Sequence, residues 1–272
     1  MTPIQKTTSI LTREGIDISG VCAFERVTGR LIDCGAKSRL PRNAKSVIVC
    51  LFPYKTDCGE RSASLARNVS RYAVVRDYHE VAGRMLDNST ARLAEEFPGN
   101  QFVRFVDNSP IPEVYAANLC GLGVRGDNGL LISEKYGSWV FIGEIVTDLE
   151  LPQSGQDVAI KECNHCGNCV RACPTGALAA GDMNICLSKI SQKKGALTDR
   201  EGELMRRNKS VWGCDICQEV CPLNRRAADT QIREFLENQV PLVDRNTLLD
   251  GRAFAWRGRE VLLRNIGFNN PD

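Results

Sequence analysis

The sequence lacks any long apolar segment. Its longest purely apolar run covers residues 47–52, which is six residues, whereas a helix needs about 20 to cross a bilayer. The first six residues contain no apolar stretch of the kind that begins a secretory signal. Both absences predict a cytoplasmic protein with no membrane partner.

An excess of charge of one sign is also absent. The 272 residues carry 35 Lys and Arg against 33 Asp and Glu, a formal net charge of +2, so the overall charge gives no argument for a polyanionic partner. Histidine is scarce, with His79 and His165 only. There is no Walker A run, and the glycines between Gly121 and Gly126 precede a predicted strand instead of opening a helix, so nucleotide sites are not predicted.

The first half of the chain alternates strand-like and helix-like segments, which predicts an N-terminal α/β layer and an α+β fold for the whole chain. Residues 78–97 have the pattern of an amphipathic helix. A polar break with Pro and Gly follows Asp148. We therefore divide the chain into an α/β domain of residues 1–152, a cysteine module of residues 156–228 and a short helical tail of residues 229–272. The predicted strands are residues 20–24, 46–52, 102–107, 129–132 and 138–147.

Cysteine, by contrast, is abundant, with 13 in the chain and eight of them between Cys163 and Cys221. In a reducing compartment this density favours metal or redox chemistry over disulfides. The run from Cys163 to Pro174 has the spacing C-x2-C-x2-C-x3-C-P of bacterial ferredoxins. A partial second copy ends at Cys221, and Cys186 supplies the cysteine that this copy lacks. The module is predicted to hold two [4Fe-4S] clusters and to transfer electrons.

In such runs the fourth cysteine ligates the other cluster, which divides the eight residues into two crossed sets. Structural zinc is the less favoured alternative, because zinc sites do not need the four-cysteine run or the proline after it. His165 lies inside the first loop and is predicted to face solvent or to contact a cluster ligand, and not to be a ligand itself. The first predicted set is Cys163, Cys166, Cys169 and Cys221, and the second is Cys173, Cys186, Cys214 and Cys217.

Six further segments, taken with the cysteine module, are similar to one known family. They are Arg71 to Ala73, Arg76 to His79, Val106 to Pro110 with Glu113, Gly121 to Gly123, Gly137 to Glu144, and Thr147 to Leu149. This combination resembles the epoxyqueuosine reductases over nearly the whole chain. Members of that family are cobalamin-dependent iron-sulfur enzymes, related to reductive dehalogenases, that convert epoxyqueuosine to queuosine in tRNA.

The resemblance implies an N-terminal corrinoid-binding catalytic domain that receives electrons from the clusters and, through them, from an external low-potential donor. Asp107 takes the position of the family's acidic residue and would be the catalytic proton donor, which a buried carboxyl with a raised pKa could serve at neutral pH. Neither histidine is expected to ligate cobalt. The predicted cofactor contacts are Arg76, Tyr78, His79, Asp107, Asn128, Ser138 and Trp139.

The chain also departs from the family pattern. Val124, Asp127 and Gly129 replace the family's Trp, Lys and Thr, so contacts to substrate or cofactor are expected to differ. Family members continue as HEAT-like helical repeats that hold tRNA, and only residues 254–267 resemble the start of that region. Residues 189–226 hold nine Lys or Arg against five acids, which is typical of a solvated loop and, alternatively, of weak phosphate contact.

Two other functions are compatible with these patterns. One is a ferredoxin-like electron carrier whose N-terminal domain binds no cofactor. The other is a corrinoid-binding paralogue that reduces another substrate or activates another corrinoid enzyme. Cobalamin binding would distinguish the reductase from the electron carrier, and activity on epoxyqueuosine would distinguish the reductase from the paralogue.

We expect anaerobically purified protein to contain about eight iron atoms per chain and no stoichiometric zinc, because each of two cubes holds four irons. Cys186→Ser should damage one cluster and leave the other, whereas Cys34→Ser, outside the module, should keep both. Iron analysis and EPR spectroscopy check this. Full iron and both EPR signals in Cys186→Ser would show that Cys186 is not a ligand.

Overall fold

The computed structural model describes residues 1–56, 67–154 and 161–269. The chain forms two compact units. The first comprises Met1–Pro53 and Tyr78–Asn164, and the second comprises Tyr54–Asp77 and His165–Asp272. The predicted break between the α/β domain and the cysteine module, residues 149–155, is described up to Ser154. The three-part division of the chain stays a prediction.

Helices are numbered in chain order over the described residues. Several are single turns, and the longest is α4, which confirms the helix predicted at residues 78–97. The α-helices are α1 (Pro3–Arg13), α2 (Glu25–Thr28), α3 (Arg71–Val74), α4 (Tyr78–Glu96), α5 (Glu113–Leu119), α6 (Asn168–Ala172), α7 (Ala177–Ala180), α8 (Leu187–Ser191), α9 (Asp199–Asn208), α10 (Ile216–Glu219), α11 (Arg233–Leu236) and α12 (Arg259–Asn269). Short 3-10 helices cover Gly35–Arg39, Met183–Ile185, Pro222–Asn224 and Ala255–Arg257.

The first unit is built on a four-stranded sheet with the order β1-β2-β6-β3, in which every pairing is antiparallel. Four of the predicted strands are confirmed, whereas the segment predicted at residues 129–132 contributes only the two-residue strand β5, paired with β4. The antiparallel pairing makes this an α+β fold. The strands are β1 (Ile18–Ala23), β2 (Ser46–Pro53), β3 (Phe102–Val106), β4 (Val124–Arg125), β5 (Leu131–Ile132) and β6 (Val140–Thr147).

Strand β6 separates two packing layers. Gly143 faces α4, where an added Cβ would come within 2.8 Å of the Leu86 side chain. Because side chains alternate along a strand, Glu144 points to the opposite face, on which α5 packs. That face holds a fully buried apolar core that includes Val49, Phe105 and Val146. Glu144 is therefore an acid placed inside an apolar layer.

The helical tail belongs to the core of the second unit. Val261, Leu262 and Ile266 of α12 pack with Trp212 and Phe254 in one buried cluster. The amide of Asn265, which is fully buried, donates hydrogen bonds to the carbonyls of Ser191 (2.8 Å) and Val211 (2.7 Å). These bonds tie α12 to the cysteine-bearing part of the unit.

Within the described part of the chain, no helix is both long enough and apolar enough to cross a membrane.

We expect Asn265→Ala to lower the free energy of unfolding by about 2 kcal/mol, because it removes the donor of the Val211 carbonyl and leaves the Ser191 carbonyl with only a 3.5 Å contact from Arg264. Asn246→Ala, at an exposed position of the same unit, is the matched control and should change little. Chemical denaturation of both variants measures the difference. Equal stabilities would mean that Asn265 does not hold α12 in place.

Candidate functional site

The first unit contains an open cavity of about 180 Å³. Its wall is mostly apolar, with two acidic side chains, and is formed where α4, α5, β5 and β6 begin. The partly exposed side chains Val140, Phe141 and Ile142 of β6 make up much of the apolar surface. The lining residues are Tyr78, Asp107, Glu113, Val114, Leu130, Leu131, Ser138, Val140, Phe141 and Ile142.

Asp107 follows directly after β3, in a turn with a φ of +62°, a region that Asp tolerates better than most residues. Its side chain is 64% exposed, and its carboxylate lies 3.3 Å from Nε2 of His79. This hydrogen bond is the main reason why the pKa of Asp107 is lowered, against the opposing effect of burial. The expectation of a buried Asp107 with a raised pKa is therefore wrong for this structure.

Asp107 contacts two residues at the start of α4, Tyr78 and His79. The Tyr78 ring stacks on Phe141 with centroids 4.1 Å apart and an interplanar angle of 10°. The His79 ring lies against Tyr78, with centroids 4.0 Å apart. Tyr78 also hydrogen-bonds Asp107 and helps to lower its pKa. Three predicted residues are thus brought together at the cavity.

Of the other four predicted cofactor contacts, one lines the cavity and three do not. Ser138 lines the cavity, and Trp139 beside it in sequence is 3% exposed. Asn128 is buried in a turn, where its Oδ1 accepts a hydrogen bond from the Leu130 N–H (3.3 Å). Arg76 is exposed and belongs to the second unit.

Two acidic residues were missed as site residues by the sequence analysis. Burial raises the pKa of Glu113, in the first turn of α5, to about 8, and the negative charge of Asp107 adds to this rise. Glu144 is fully buried, and burial, with Glu113 as the next cause, raises its pKa well above the usual value. The available signal was a lone acid in the otherwise apolar run of β6.

Within the described residues, none of the eight cysteines of the module forms a disulfide, and each is at least partly exposed. Cys214 is raised in pKa to about 12, mainly by burial, and nearby Cys217 and Cys186 contribute to the rise. Cys186 is therefore close to the pair that the sequence analysis assigned to the same cluster. That cluster assignment stays a prediction.

The Cys173 sulfur already accepts hydrogen bonds of the kind that stabilise a thiolate. Burial opposes ionisation, but backbone N–H groups of Thr175, Ala177 and Leu178 outweigh it and lower the pKa of Cys173. Metal ligation requires the thiolate. His165 is exposed, in agreement with its predicted orientation toward solvent.

The loop that carries Cys214 is anchored by Asp215. Its carboxylate accepts hydrogen bonds from Arg67 Nη1 (2.6 Å), from the Arg71 backbone N–H (2.7 Å) and from the Ser70 hydroxyl. Gly213 has a φ of +74°, and a Cβ there would lie 2.5 Å from the Ser70 Cβ. Only glycine fits at this position.

Family comparisons agree with the two parts of the site. Residues 162–224, which contain all eight cysteines, match the 4Fe-4S double cluster binding domain. Residues 37–108 match the model described as epoxyqueuosine reductase QueG, DUF1730. The prediction of two [4Fe-4S] clusters is confirmed.

Curated relatives extend the match over most of the chain. An epoxyqueuosine reductase of Gloeobacter violaceus is 40% identical over 231 residues, covering 81% of this chain and 72% of the relative. The chain belongs to the epoxyqueuosine reductase family. The family member of Listeria monocytogenes is 37% identical over 205 residues, which cover 70% of this chain and 53% of the relative. Some family members are thus considerably longer than the aligned region.

Solved structures of the family share the fold. The epoxyqueuosine reductase of Streptococcus thermophilus superposes with a TM-score of 0.77 at 24% identity, covering 98% of this chain and 80% of that one. A family structure with an epoxyqueuosine-modified tRNA-Tyr stem loop gives a TM-score of 0.79 at 23% identity, covering 97% and 80%. The predicted α+β architecture is confirmed.

The raised pKa of Glu113 predicts a pH dependence of stability. The folded protein keeps this proton up to about pH 8, whereas an unfolded Glu loses it near 4.5. The contribution is therefore complete below about pH 4.5 and is lost as the pH rises through about 8. Relative to Glu113→Gln, the wild type should lose on the order of a few kcal/mol of unfolding free energy over that range.

Denaturant titrations at several pH values measure this difference. Glu95→Gln, at an exposed position on α4, is the control and should follow the wild type. If Glu113→Gln keeps the full pH dependence of the wild type, Glu113 is ionised in the folded protein.

Proposed function

We propose that this chain reduces epoxyqueuosine to queuosine in tRNA, using two [4Fe-4S] clusters and cobalamin. Membership of the epoxyqueuosine reductase family supports the reaction, and the double cluster domain supports the electron path. The observation that carries the proposal is the cavity of the first unit. The Asp107 carboxylate lines this cavity together with apolar side chains, and the same chain carries eight cysteines with the spacing of cluster ligands.

The reaction needs protons as well as electrons. An epoxide, two electrons and two protons give an alkene and water, so the departing oxygen must be protonated twice. Asp107 is the proposed donor to that oxygen, because its half-exposed carboxyl can meet a substrate in the cavity. A Bacillus subtilis family structure has its catalytic aspartate loop swung out of the active site, which is consistent with an acidic loop in this role.

Cobalamin is compatible with the residues around the cavity. Val140, Phe141 and Ile142 are apolar side chains left partly exposed, and such a patch commonly marks a binding surface. The cavity is smaller than the ~300–1,000 Å³ of typical ligand pockets, so it would supply one open apolar wall. These three residues, with Tyr78 and Ser138, would contact the cofactor. When bound, cobalamin supplies a redox centre that delivers two electrons to substrate carbon.

The two clusters would pass those electrons from an external low-potential donor. The proposed ligands are the two crossed cysteine sets predicted from the spacing, and the proximity of Cys186 to Cys214 supports the second set. Cobalt is proposed to have no histidine ligand from the protein. His79 contacts Asp107, and His165 is exposed in the first cysteine loop.

The proposed macromolecular substrate is tRNA, as in the family structure with the bound stem loop. In this chain the predicted basic segment is partly neutralised, because Lys193 pairs with Glu201. Arg206 and Arg207 both pair with Glu203. Binding through this segment alone should therefore be weak and strongly dependent on salt.

Asp107→Asn keeps the size of the side chain but removes the proton, so reduction of an epoxyqueuosine-containing anticodon stem loop should slow by about 10²- to 10⁴-fold. Cobalamin binding should survive. Asp33→Asn, at an exposed position of the same unit, is the control and should be fully active. Product analysis under anaerobic conditions, with an artificial reductant in excess, measures the rates.

Loss of cobalamin from Asp107→Asn would assign Asp107 a structural role instead. A wild-type protein that holds both clusters and cobalamin but leaves the stem loop unreduced would contradict the proposed function, and would favour the paralogue that acts on another substrate.

A further inference from the structure

Asp107 alone does not account for the protons of the proposed reaction, on which this inference rests. Two protons are consumed for each epoxide, and one carboxyl carries one. In addition, the hydrogen bond from His79 lowers the pKa of Asp107, so at neutral pH its carboxyl is mostly ionised. A neighbouring group must supply the proton that Asp107 delivers.

Glu113 is the acidic neighbour in the same cavity. The backbone N–H of Asp107 donates a hydrogen bond to the Glu113 carboxyl, and the charge of the Asp107 side chain acts on the same carboxyl. Its other oxygen, Oε1, is buried and has no hydrogen-bond partner among the described residues. An unpaired buried carboxylate would be costly, whereas the protonated form carries no charge. Glu113 therefore holds a proton where Asp107 lacks one.

Glu144 lies behind Glu113, on the face of β6 against which α5 packs. It is fully buried, and neither of its oxygens has a hydrogen-bond partner in the part of the chain that the structure describes. The Ser109 hydroxyl lies near and favours the charged form slightly, but burial and the proximity of Glu113 dominate. Glu144 is thus a second protonated carboxyl, without contact with solvent.

The groups that face this pair do not neutralise a negative charge. Cys22 of β1 acts on Glu144, and Glu144 in turn acts on Cys50 of β2. Both thiols would be negative if ionised. Arg26 is the cation nearby, and its charge acts on Cys22. This environment keeps both carboxyls of the pair neutral.

We infer that Glu144 and Glu113 form a buried proton relay that recharges Asp107 during turnover. The O–H bond of Glu113 breaks as a new O–H bond forms on the Asp107 carboxylate, and Asp107 passes this first proton to the departing oxygen. Glu144 then protonates Glu113, which sends the second proton to the oxygen by the same route. After product release two protons from water restore the pair, and the two electrons come from the low-potential donor.

Between turnovers the proton rests on Glu113, because burial and the negative charge of Asp107 raise the pKa of Glu113 while the hydrogen bond from His79 lowers the pKa of Asp107. Transfer to Asp107 is completed when the departing oxygen takes the proton from Asp107. Glu113 touches the cavity and is a catalytic residue in this scheme, whereas Glu144 acts through it.

Infrared spectroscopy tests the relay without cofactor or substrate. Protonated carboxyls have a C=O stretch that is separate from the carboxylate bands. At pH 7 the full chain should show two such C=O bands, and Glu113→Gln and Glu144→Gln should each remove one of them. Glu95→Gln should retain both. Absence of protonated carboxyl bands in the wild type would overturn the inference.

Kinetics of the holoenzyme with the epoxyqueuosine stem loop give a second readout. The single-turnover rate of the wild type should fall as the pH rises through about 8, the pKa of Glu113. Glu113→Gln should lose about 10²-fold in rate, near the lower end for general acids, and should no longer show this fall. Glu144→Gln should lose less, and Glu113→Asp, which keeps a carboxyl, should restore the pH dependence.

The outcomes separate the relay from the proposed function. An active wild type whose Glu113→Gln and Glu144→Gln variants keep its rate and pH profile overturns the relay alone. A loaded wild type that does not reduce the stem loop overturns the proposed function and the relay's role in it, even if both infrared bands are present.

Discussion

Strand β6 is hydrogen-bonded on both sides, to β2 along its whole length and to β3 over its second half, and the site of the first unit depends on this pairing. Residues 140–142 of β6 lie beyond its pairing with β3, and their side chains form much of the apolar wall of the cavity. Pairing with β3 fixes where that strand ends, and Asp107 follows at once. The next residues of β6 turn Gly143 toward α4 and Glu144 toward α5. One doubly paired strand therefore positions the wall, the acid and the buried carboxyl together.

The carboxyls around this cavity differ in protonation because their surroundings differ. Asp107 is more than half exposed and has a histidine partner, which favours the charged form. Glu144 lies in an apolar layer and Glu113 lies beside the cavity with its Oε1 buried, and burial favours the neutral form of both. Three residues of the same chemical type thus divide into one base-like and two acid-like groups. Burial favours the neutral form of the two glutamates, and the hydrogen bond from Nε2 of His79 favours the charged form of Asp107.

Much of this architecture could be predicted from the sequence. Apolar residues recur with the period of a strand in the four main strands and with the period of a helix in α4. Both periodicities are local properties of the sequence, and so is the cysteine spacing that indicates the double cluster domain. The contact between His79 and Asp107 joins α4 to the end of β3 and has no local signature. Glu144 was visible as an acid in an apolar strand, but one sequence does not show whether such an acid is covered. The inclusion of residues 54–77 in the second unit also depends on contacts far apart in the chain.

The anchoring of the Cys214 loop has a consequence for how such a module can be inherited. Arg67, Ser70 and Arg71 bind Asp215, and the Tyr72 hydroxyl accepts a hydrogen bond from the Trp212 indole N–H (2.7 Å). These four residues are encoded before most of the first unit, whereas their partners are encoded after it. A gene segment for residues 165–272 would carry seven of the eight cysteines without the residues that brace the Cys214 loop. A contiguous segment that keeps both the bracing residues and their partners must begin before Arg67, so it also encodes most of the first unit.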